Sequence, residues 1–138
     1  MWKKSVMTIV GWIAVIAVFS LFMKPKANVS CAAEDGQLLV TGRSGYELTI
    51  VYDTLVSVEY FDEMEYGTMI EGTDDKYEKS GLWENDELGQ YLMCTSAKVD
   101  SCIVIETEEQ VMVINYASET STSSLYEALL EQMDVEQT

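Results

Sequence analysis

Apolar and polar residues alternate in three short runs between residues 90 and 116, and each run is rich in β-branched, aromatic or other apolar side chains. The runs are Gln90–Thr95, Ser101–Thr107 and Gln110–Tyr116, and short polar segments separate them. Period-two alternation bounded by such segments is typical of half-buried β-strands. The pattern therefore predicts three consecutive strands joined by tight turns.

The two connections set the predicted register of these strands. If Glu108 and Glu109 form the second turn, Ile103 lies opposite Ile114 and Ile105 lies opposite Met112. If residues 96–100 form the first loop, Cys94 lies opposite Cys102 and Leu92 opposite Val104. The face expected to be the core then carries Tyr91, Met93, Ile103, Ile105, Met112 and Ile114. The opposite face carries Leu92, Cys94, Cys102, Val104, Glu106, Val113 and Asn115.

An amphipathic helix is predicted after the third strand. Apolar residues recur there at helical spacing, and those expected to face the sheet are Leu125, Ala128, Leu129 and Met133. Glu127 and Glu131 are expected to point outward. Ser124 with Glu127 fits a capping box, although Thr120, Ser121 or Thr122 could cap the helix equally well.

Further strands are predicted upstream at Gln37–Thr41, Tyr46–Tyr52 and Leu55–Phe61. Residues 62–79 are polar and acidic, with Gly67 and Gly72 as breakpoints and a short strand at Thr68–Ile70. Another strand is expected to begin near Leu82 and Trp83. The chain is thus predicted to be mainly β, with one helix at its end.

Several of these segments resemble the bacterial pleckstrin-homology-like (PH-like) domain family. The resemblance runs from Tyr46 to the predicted helix and rests on Gly81-Leu82-Trp83-Glu84-Asn85, Gly89-Gln90-Tyr91, Ile103–Thr107, Val113-Ile114-Asn115 and Thr122 with Leu125-Tyr126. It implies a PH-like antiparallel barrel or sandwich of about seven strands, capped by the C-terminal α-helix. The motif residues, expected to be structural, are Gly81, Trp83, Asn85, Gly89, Tyr91, Asn115, Leu125 and Tyr126. We expect Trp83 and Tyr91 to pack in the core; exposed, they would indicate a peptide or glycan contact.

The N-terminal region carries an uncharged apolar run at residues 5–23, behind a basic flank at residues 1–4. Nineteen residues in a helix span roughly 28 Å, close to the thickness of a bilayer core. This favours an uncleaved transmembrane anchor over a signal peptide, because Lys24 and Lys26 precede the small residues where cleavage would occur. Cleavage before Cys31, as in a lipoprotein, is an alternative.

The predicted organisation is therefore an anchor, a tether at residues 24–35, a PH-like domain at residues 36–134 and a tail at residues 135–138. The lysines on the two sides of the anchor give a slight positive-inside signal. It favours a single-pass protein of the cell membrane with the domain on the extracytoplasmic side.

Charge excludes several classes of partner. Beyond Ala33 the chain has 24 acidic residues against four basic ones, a net charge of −20. Nucleic acids and anionic lipid headgroups would be repelled, because binding them depends on Lys and Arg. The loop that holds inositol phosphates in eukaryotic PH domains corresponds to residues 42–45, which offer only Arg43. Phosphoinositide binding is therefore not expected.

No catalytic constellation is present in the sequence. There is no histidine, no activated nucleophile and no glycine-rich phosphate loop, so we expect neither enzymatic activity nor a cofactor. Two acidic loops could hold a cation through Asp74, Asp75, Glu78 and Asp86. Neither has the spacing of an EF-hand, and a solvated acidic loop or a weak calcium site is the expectation.

The predicted register also leads to a hypothesis about Cys94 and Cys102. Directly opposed residues of neighbouring strands lie within disulfide range, so the pair could form a cross-strand bridge outside the cytoplasm. The alternative is a pair of reduced, small apolar side chains in a cytoplasmic domain.

Two functions agree with these expectations. The first is a membrane-tethered, non-catalytic PH-like module for binding or scaffolding, which recognises a protein or peptide. The alternative is a regulatory or sensory subunit of a membrane complex that responds to cations.

Overall fold

A computed structural model describes residues 28–137, with side chains described as far as Met133. Nine strands are followed by one long helix, and a single turn of 3₁₀-helix (Tyr52–Thr54) separates the third strand from the fourth. The strands are β1 (Val29–Glu34), β2 (Gln37–Gly42), β3 (Glu47–Val51), β4 (Leu55–Phe61), β5 (Thr68–Asp74), β6 (Glu78–Asn85), β7 (Gly89–Ser96), β8 (Cys102–Thr107) and β9 (Val111–Ile114). The helix, α1, spans Glu119–Gln137.

The small sheet is an antiparallel meander in the order β1-β2-β3. Its first strand lies within the predicted tether at residues 24–35, so that part of the tether is wrong. Val29 and Cys31 are buried while Ala32 and Glu34 are exposed, which is the alternation of a half-buried strand. Small side chains carry this alternation, and that is why composition alone indicated a linker.

The large sheet has six strands in the order β4-β8-β9-β7-β6-β5. The predicted register of β8 and β9 is confirmed, with Ile103 opposite Ile114 and Ile105 opposite Met112. The predicted pairing of β7 with β8 is wrong. β9 lies between them and pairs in parallel with β7, so that Cys94 lies opposite Ile114.

The parallel pairing reverses the predicted faces of β7. Leu92 and Cys94 join the main core, whereas Tyr91 and Met93 lie in a second apolar cluster on the other face of the sheet. The predicted faces of β8 and β9 are correct: Ile103, Ile105, Met112 and Ile114 lie in the main core, and Cys102, Val104 and Val113 lie in the second cluster. In the observed pairing, Cys94 is level with Ile103 of β8 instead of with Cys102, as predicted. This difference of one residue exchanges the two faces of β7, because successive side chains of a strand point to opposite faces.

The main core lies between the large sheet, the small sheet and α1. Leu125 and Leu129 are buried in it, with Ala128 and Met133 packed against it, and Glu127 and Glu131 are exposed, as predicted. The helix begins at Glu119, nearly two turns earlier than the Ser124 capping box would place it. Its reciprocal cap joins Ser118 and Ser121: the Ser118 N–H donates to the Ser121 hydroxyl at 2.9 Å, and the Ser121 N–H donates to the Ser118 hydroxyl at 3.1 Å.

The mainly β fold with a C-terminal helix is confirmed. The strands number nine rather than about seven, and residues 28–137 form two sheets with no closed barrel. Within this range no helix is long and apolar enough to cross a membrane. The predicted anchor at residues 5–23 lies outside the described residues.

Candidate functional site

A pocket of about 650 Å³ opens where the connection between β4 and β5 passes the turn between β6 and β7. The connection supplies one wall through residues 61–68, and the turn supplies the other through residues 84–88. Val104 of β8 lies at its base. The pocket is therefore assembled from three parts of the chain that are distant in sequence.

The walls carry five carboxylates and no basic side chain. These acids are Glu63, Glu65, Glu84, Asp86 and Glu87, and all five are exposed to solvent. Like charges in a concave surface reinforce one another's field and raise the local concentration of cations. The electrostatics of the pocket therefore favour a cationic ligand.

The remaining surface of the pocket is largely apolar. Phe61, Met64, Leu88 and Val104 line it, and all four belong to or pack against the second apolar cluster. That cluster also buries Trp83 and Tyr91, so the core position expected for these two aromatic residues is observed. An apolar floor below acidic walls can accommodate the stem of a long basic side chain together with its charged head.

Asn85 joins the two walls. Its Oδ1 accepts a hydrogen bond from the Leu88 N–H at 2.7 Å, which closes the turn, and its Nδ2 donates to the Glu65 carbonyl at 2.9 Å. Gly67 lies so close to β6 that an added Cβ would sit 2.0 Å from the Glu84 carbonyl oxygen. These contacts hold the connection against β6 before any ligand binds.

The sequence-predicted cation ligands are not brought together. Asp74 forms an ion pair with Lys79 at 2.7 Å, and Asp75 accepts backbone hydrogen bonds from Tyr77 and Glu78 at 2.8 Å. These bonds lower the pKa of Asp75, because they favour its charged form. Asp86 lies in the pocket, at the opposite end of β6. Among residues 28–137, no group of three or more Cys, Asp or Glu side chains could hold a metal ion.

Glu78, the fourth predicted ligand, is buried and has a structural role. Its carboxylate accepts hydrogen bonds from the Ser44 N–H at 2.7 Å, from the Ser44 hydroxyl at 2.6 Å and from the Ser80 hydroxyl. Ser44 belongs to the turn between β2 and β3, so this carboxylate connects the two sheets. Its oxygens are already occupied by protein donors.

The predicted bridge between Cys94 and Cys102 is absent. Both residues are free and buried, as is Cys31. Two intervals between neighbouring strands separate β7 from β8, roughly 9.5 Å in all, which exceeds the reach of a disulfide. Burial raises the pKa of each thiol, to about 12 for Cys94 and Cys102.

Asn115, one of the motif residues, has a structural role. It is fully buried and makes four hydrogen bonds to the loop between β7 and β8: its Oδ1 accepts from the Ser96 N–H, and its Nδ2 donates to the carbonyls of Ser96, Val99 and Ser101.

The remaining motif residues also have structural roles. Gly81 lies opposite Gly72, where an added Cβ would sit 2.6 Å from the Gly72 Cα. Gly89 begins β7 opposite Asn85, and Tyr126 packs on Tyr60 beside the buried Leu125.

Most of the pocket was not predicted from the sequence. Asp86 and Asn85 were singled out, but Glu63 and Glu65 were not, since they lie about twenty residues upstream. The sequence signal that could have indicated the pocket is the recurrence of acids next to isolated apolar residues in residues 61–68 and again in residues 84–88. Comparison with protein-family models, curated proteins and solved structures finds no match to this chain.

Proposed function

We propose that this chain is a membrane-tethered, non-catalytic PH-like module that binds a basic segment of a partner protein in its acidic pocket. Residues 5–23 provide the anchor, and the domain lies outside the cytoplasm. Neither nucleic acid nor an anionic headgroup is a ligand, because both carry the same charge as the domain.

The pocket is the observation that supports this proposal. Five carboxylates surround an apolar floor, and no lining residue is basic. A compact metal site would need several carboxylates to converge on one point, which the described residues do not do. Charges spread over two walls instead suit lysine and arginine side chains, whose charged heads are several ångströms apart along a peptide.

The apolar floor adds a second requirement. Phe61, Met64 and Leu88 can cover the aliphatic stems of basic side chains, which a small inorganic cation lacks. The ligand is therefore a basic peptide with aliphatic surface. Electrostatic attraction of this kind mainly increases the rate of association and the selectivity for partners.

Binding of two fluorescent heptapeptides to the full chain tests the proposal. KRTVTVT has a basic head, and EETVTVT replaces that head with acids. We expect only KRTVTVT to bind, with an affinity that falls as salt is added. The double variant Glu84→Lys and Glu87→Lys should weaken binding by about tenfold or more.

Glu127→Lys with Glu131→Lys is the matched control. It changes the net charge by the same amount on the exposed face of α1. It should alter the affinity by about twofold or less, because charges beyond a Debye length are screened. Equal binding of the two peptides, or equal loss in the two double variants, would refute a specific acidic pocket.

A further inference from the structure

β5 is an edge strand that pairs only with β6 among the described strands. None of its seven residues is buried, and only Thr73 is partly covered. Its outer row of backbone N–H and C=O groups faces away from the sheet. Such an edge is a template for pairing with another extended chain.

The usual protections of an exposed edge are sparse on β5. The strand contains neither lysine nor proline, and it exposes two adjacent apolar residues, Met69 at 38% and Ile70 at 45%. A bulge between Met69 and Glu71 interrupts the pairing once. Beyond it, residues 71–74 pair with β6 in unbroken register, with Gly72 at a positive φ of 146°.

The edge leads directly into the acidic pocket. Thr68, the first residue of β5, lines the pocket together with Gly67. An extended chain lying along β5 would therefore bring one of its ends to the pocket. The pocket and the edge form one continuous surface.

Charge indicates which chain can occupy this surface. β5 itself carries Glu71 and Asp74, and the pocket adds five more acids. Pairing with β5 of a second copy would bring these carboxylates together, and opposed like charges destabilise a strand pair. A basic chain would instead be attracted by Glu71 and by the acids of the pocket, whereas Asp74 is already paired with Lys79.

We infer that a basic segment of a partner protein binds as an added strand on β5, with its basic end in the acidic pocket. This inference rests on the proposed function and specifies how the peptide is held. Main-chain hydrogen bonds to β5 supply affinity, and the pocket selects the basic side chains. Met69 and Ile70 contact the apolar side chains of the added strand.

Backbone methylation of KRTVTVT tests the added strand in the full chain. Two isomers carry N-methyl groups on alternate residues, in one phase or the other, and neither changes the charge. A strand presents alternate amides to opposite sides, so one isomer should lose about tenfold in affinity while the other keeps most of it. Hydrogen exchange should slow over residues 68–74 when the unmodified peptide binds.

Ile70→Arg and Val56→Arg provide a matched pair of variants. Each residue is the exposed extra residue of an edge strand in the same sheet, Ile70 in β5 and Val56 in β4. Ile70→Arg should weaken binding of KRTVTVT several-fold, and Val56→Arg should not.

Binding that persists equally in both methylated isomers, or protection that appears away from residues 68–74, would overturn the added strand. The acidic pocket would survive that result if binding still required Glu84 and Glu87. Failure of KRTVTVT to bind at all would refute both proposals. Concentration-dependent protection of residues 68–74 in the chain alone would identify a second copy as the occupant and overturn the inference.

Discussion

The two edge strands of the large sheet share an irregularity but differ in their surroundings. β4 contains one extra residue, Val56, and β5 contains one extra residue, Ile70; their side chains are 48% and 45% exposed. β4 packs against α1 and contributes Val58 to the main core. β5 has no buried residue.

This difference separates stability from recognition within one sheet. One end of the molecule contains the main core, which the small sheet and α1 enclose, whereas the other end contains the second cluster, the acidic pocket and the unpaired edge of β5. Carboxylates gathered at one place destabilise a fold through repulsion, so they are tolerated best where little core is at stake. The end with the enclosed core therefore supports the end that binds.

Of the changes predicted here, Leu129→Asp should cause the largest loss of stability. Leu129 lies on the inner face of α1 and is fully buried in the main core, and the substitution places an unpaired charge there. We expect a loss of about 4 kcal/mol or more, which approaches the whole stability of a small domain. Ile70→Asp on β5 should change stability by about 0.5 kcal/mol or less. Chemical denaturation measures both, and similar losses would contradict the division between the two ends.

Asn115 and Asn85 give a second, smaller contrast. Each asparagine ties a connection to the end of a strand, but Asn115 is fully buried with four hydrogen bonds while Asn85 is partly exposed with two. Asn115→Ala removes the Asn115 bonds to the Ser96 N–H and to the Val99 and Ser101 carbonyls, while the Ser96 carbonyl keeps the Val99 N–H, and it should cost about 2–4 kcal/mol.

Asn85→Ala exposes its former partners to water and should cost about 1 kcal/mol or less. It should nevertheless weaken peptide binding, because Asn85 joins the two walls of the pocket. Stability and affinity measured on both variants separate these effects. An Asn85→Ala chain as unstable as Asn115→Ala would show that the pocket end also carries the fold.

The hairpin of β8 and β9 was predicted correctly because a two-residue turn leaves one register. The pairing of β7 was not, because the chain pattern does not reveal that β9 inserts beside it in parallel. The alternation in β7 was recognised, but the partner strand decides which of its residues face the main core. Tyr91 and Cys94 therefore exchanged faces, and the predicted disulfide failed with them.

The helix illustrates the same limit on a smaller scale. Its buried face follows from the spacing of Leu125 and Leu129, since any helix through them must bury that side. The start of the helix does not follow from the sequence. Residues 118–124 are seven consecutive polar residues that offer several caps, and only packing selects Ser118. The pocket is harder still to predict from the sequence, because a hydrogen bond from Asn85 to the Glu65 carbonyl joins segments that lie twenty residues apart.

The three thiols test the smallest difference between the two ends. Cys31 and Cys94 lie in the main core, whereas Cys102 lies in the smaller cluster below the pocket, with its Sγ 3.6 Å from the Met64 Sδ. Burial raises the pKa of Cys94 and Cys102 to about 12, so the folded chain keeps both as thiols. Their contribution to stability is present below a pH of about 9 and is lost as the pH rises towards 12.

Native thiols of this kind react with alkylating agents only after local opening. We expect Cys102 to be alkylated first at neutral pH, because opening the second cluster exposes it without disturbing α1. Mass spectrometry of the labelled chain over time measures the order, and denaturation without reductant should release three reactive thiols. Labelling of Cys31 or Cys94 ahead of Cys102 would place the weaker end of the molecule under α1 and reverse the comparison.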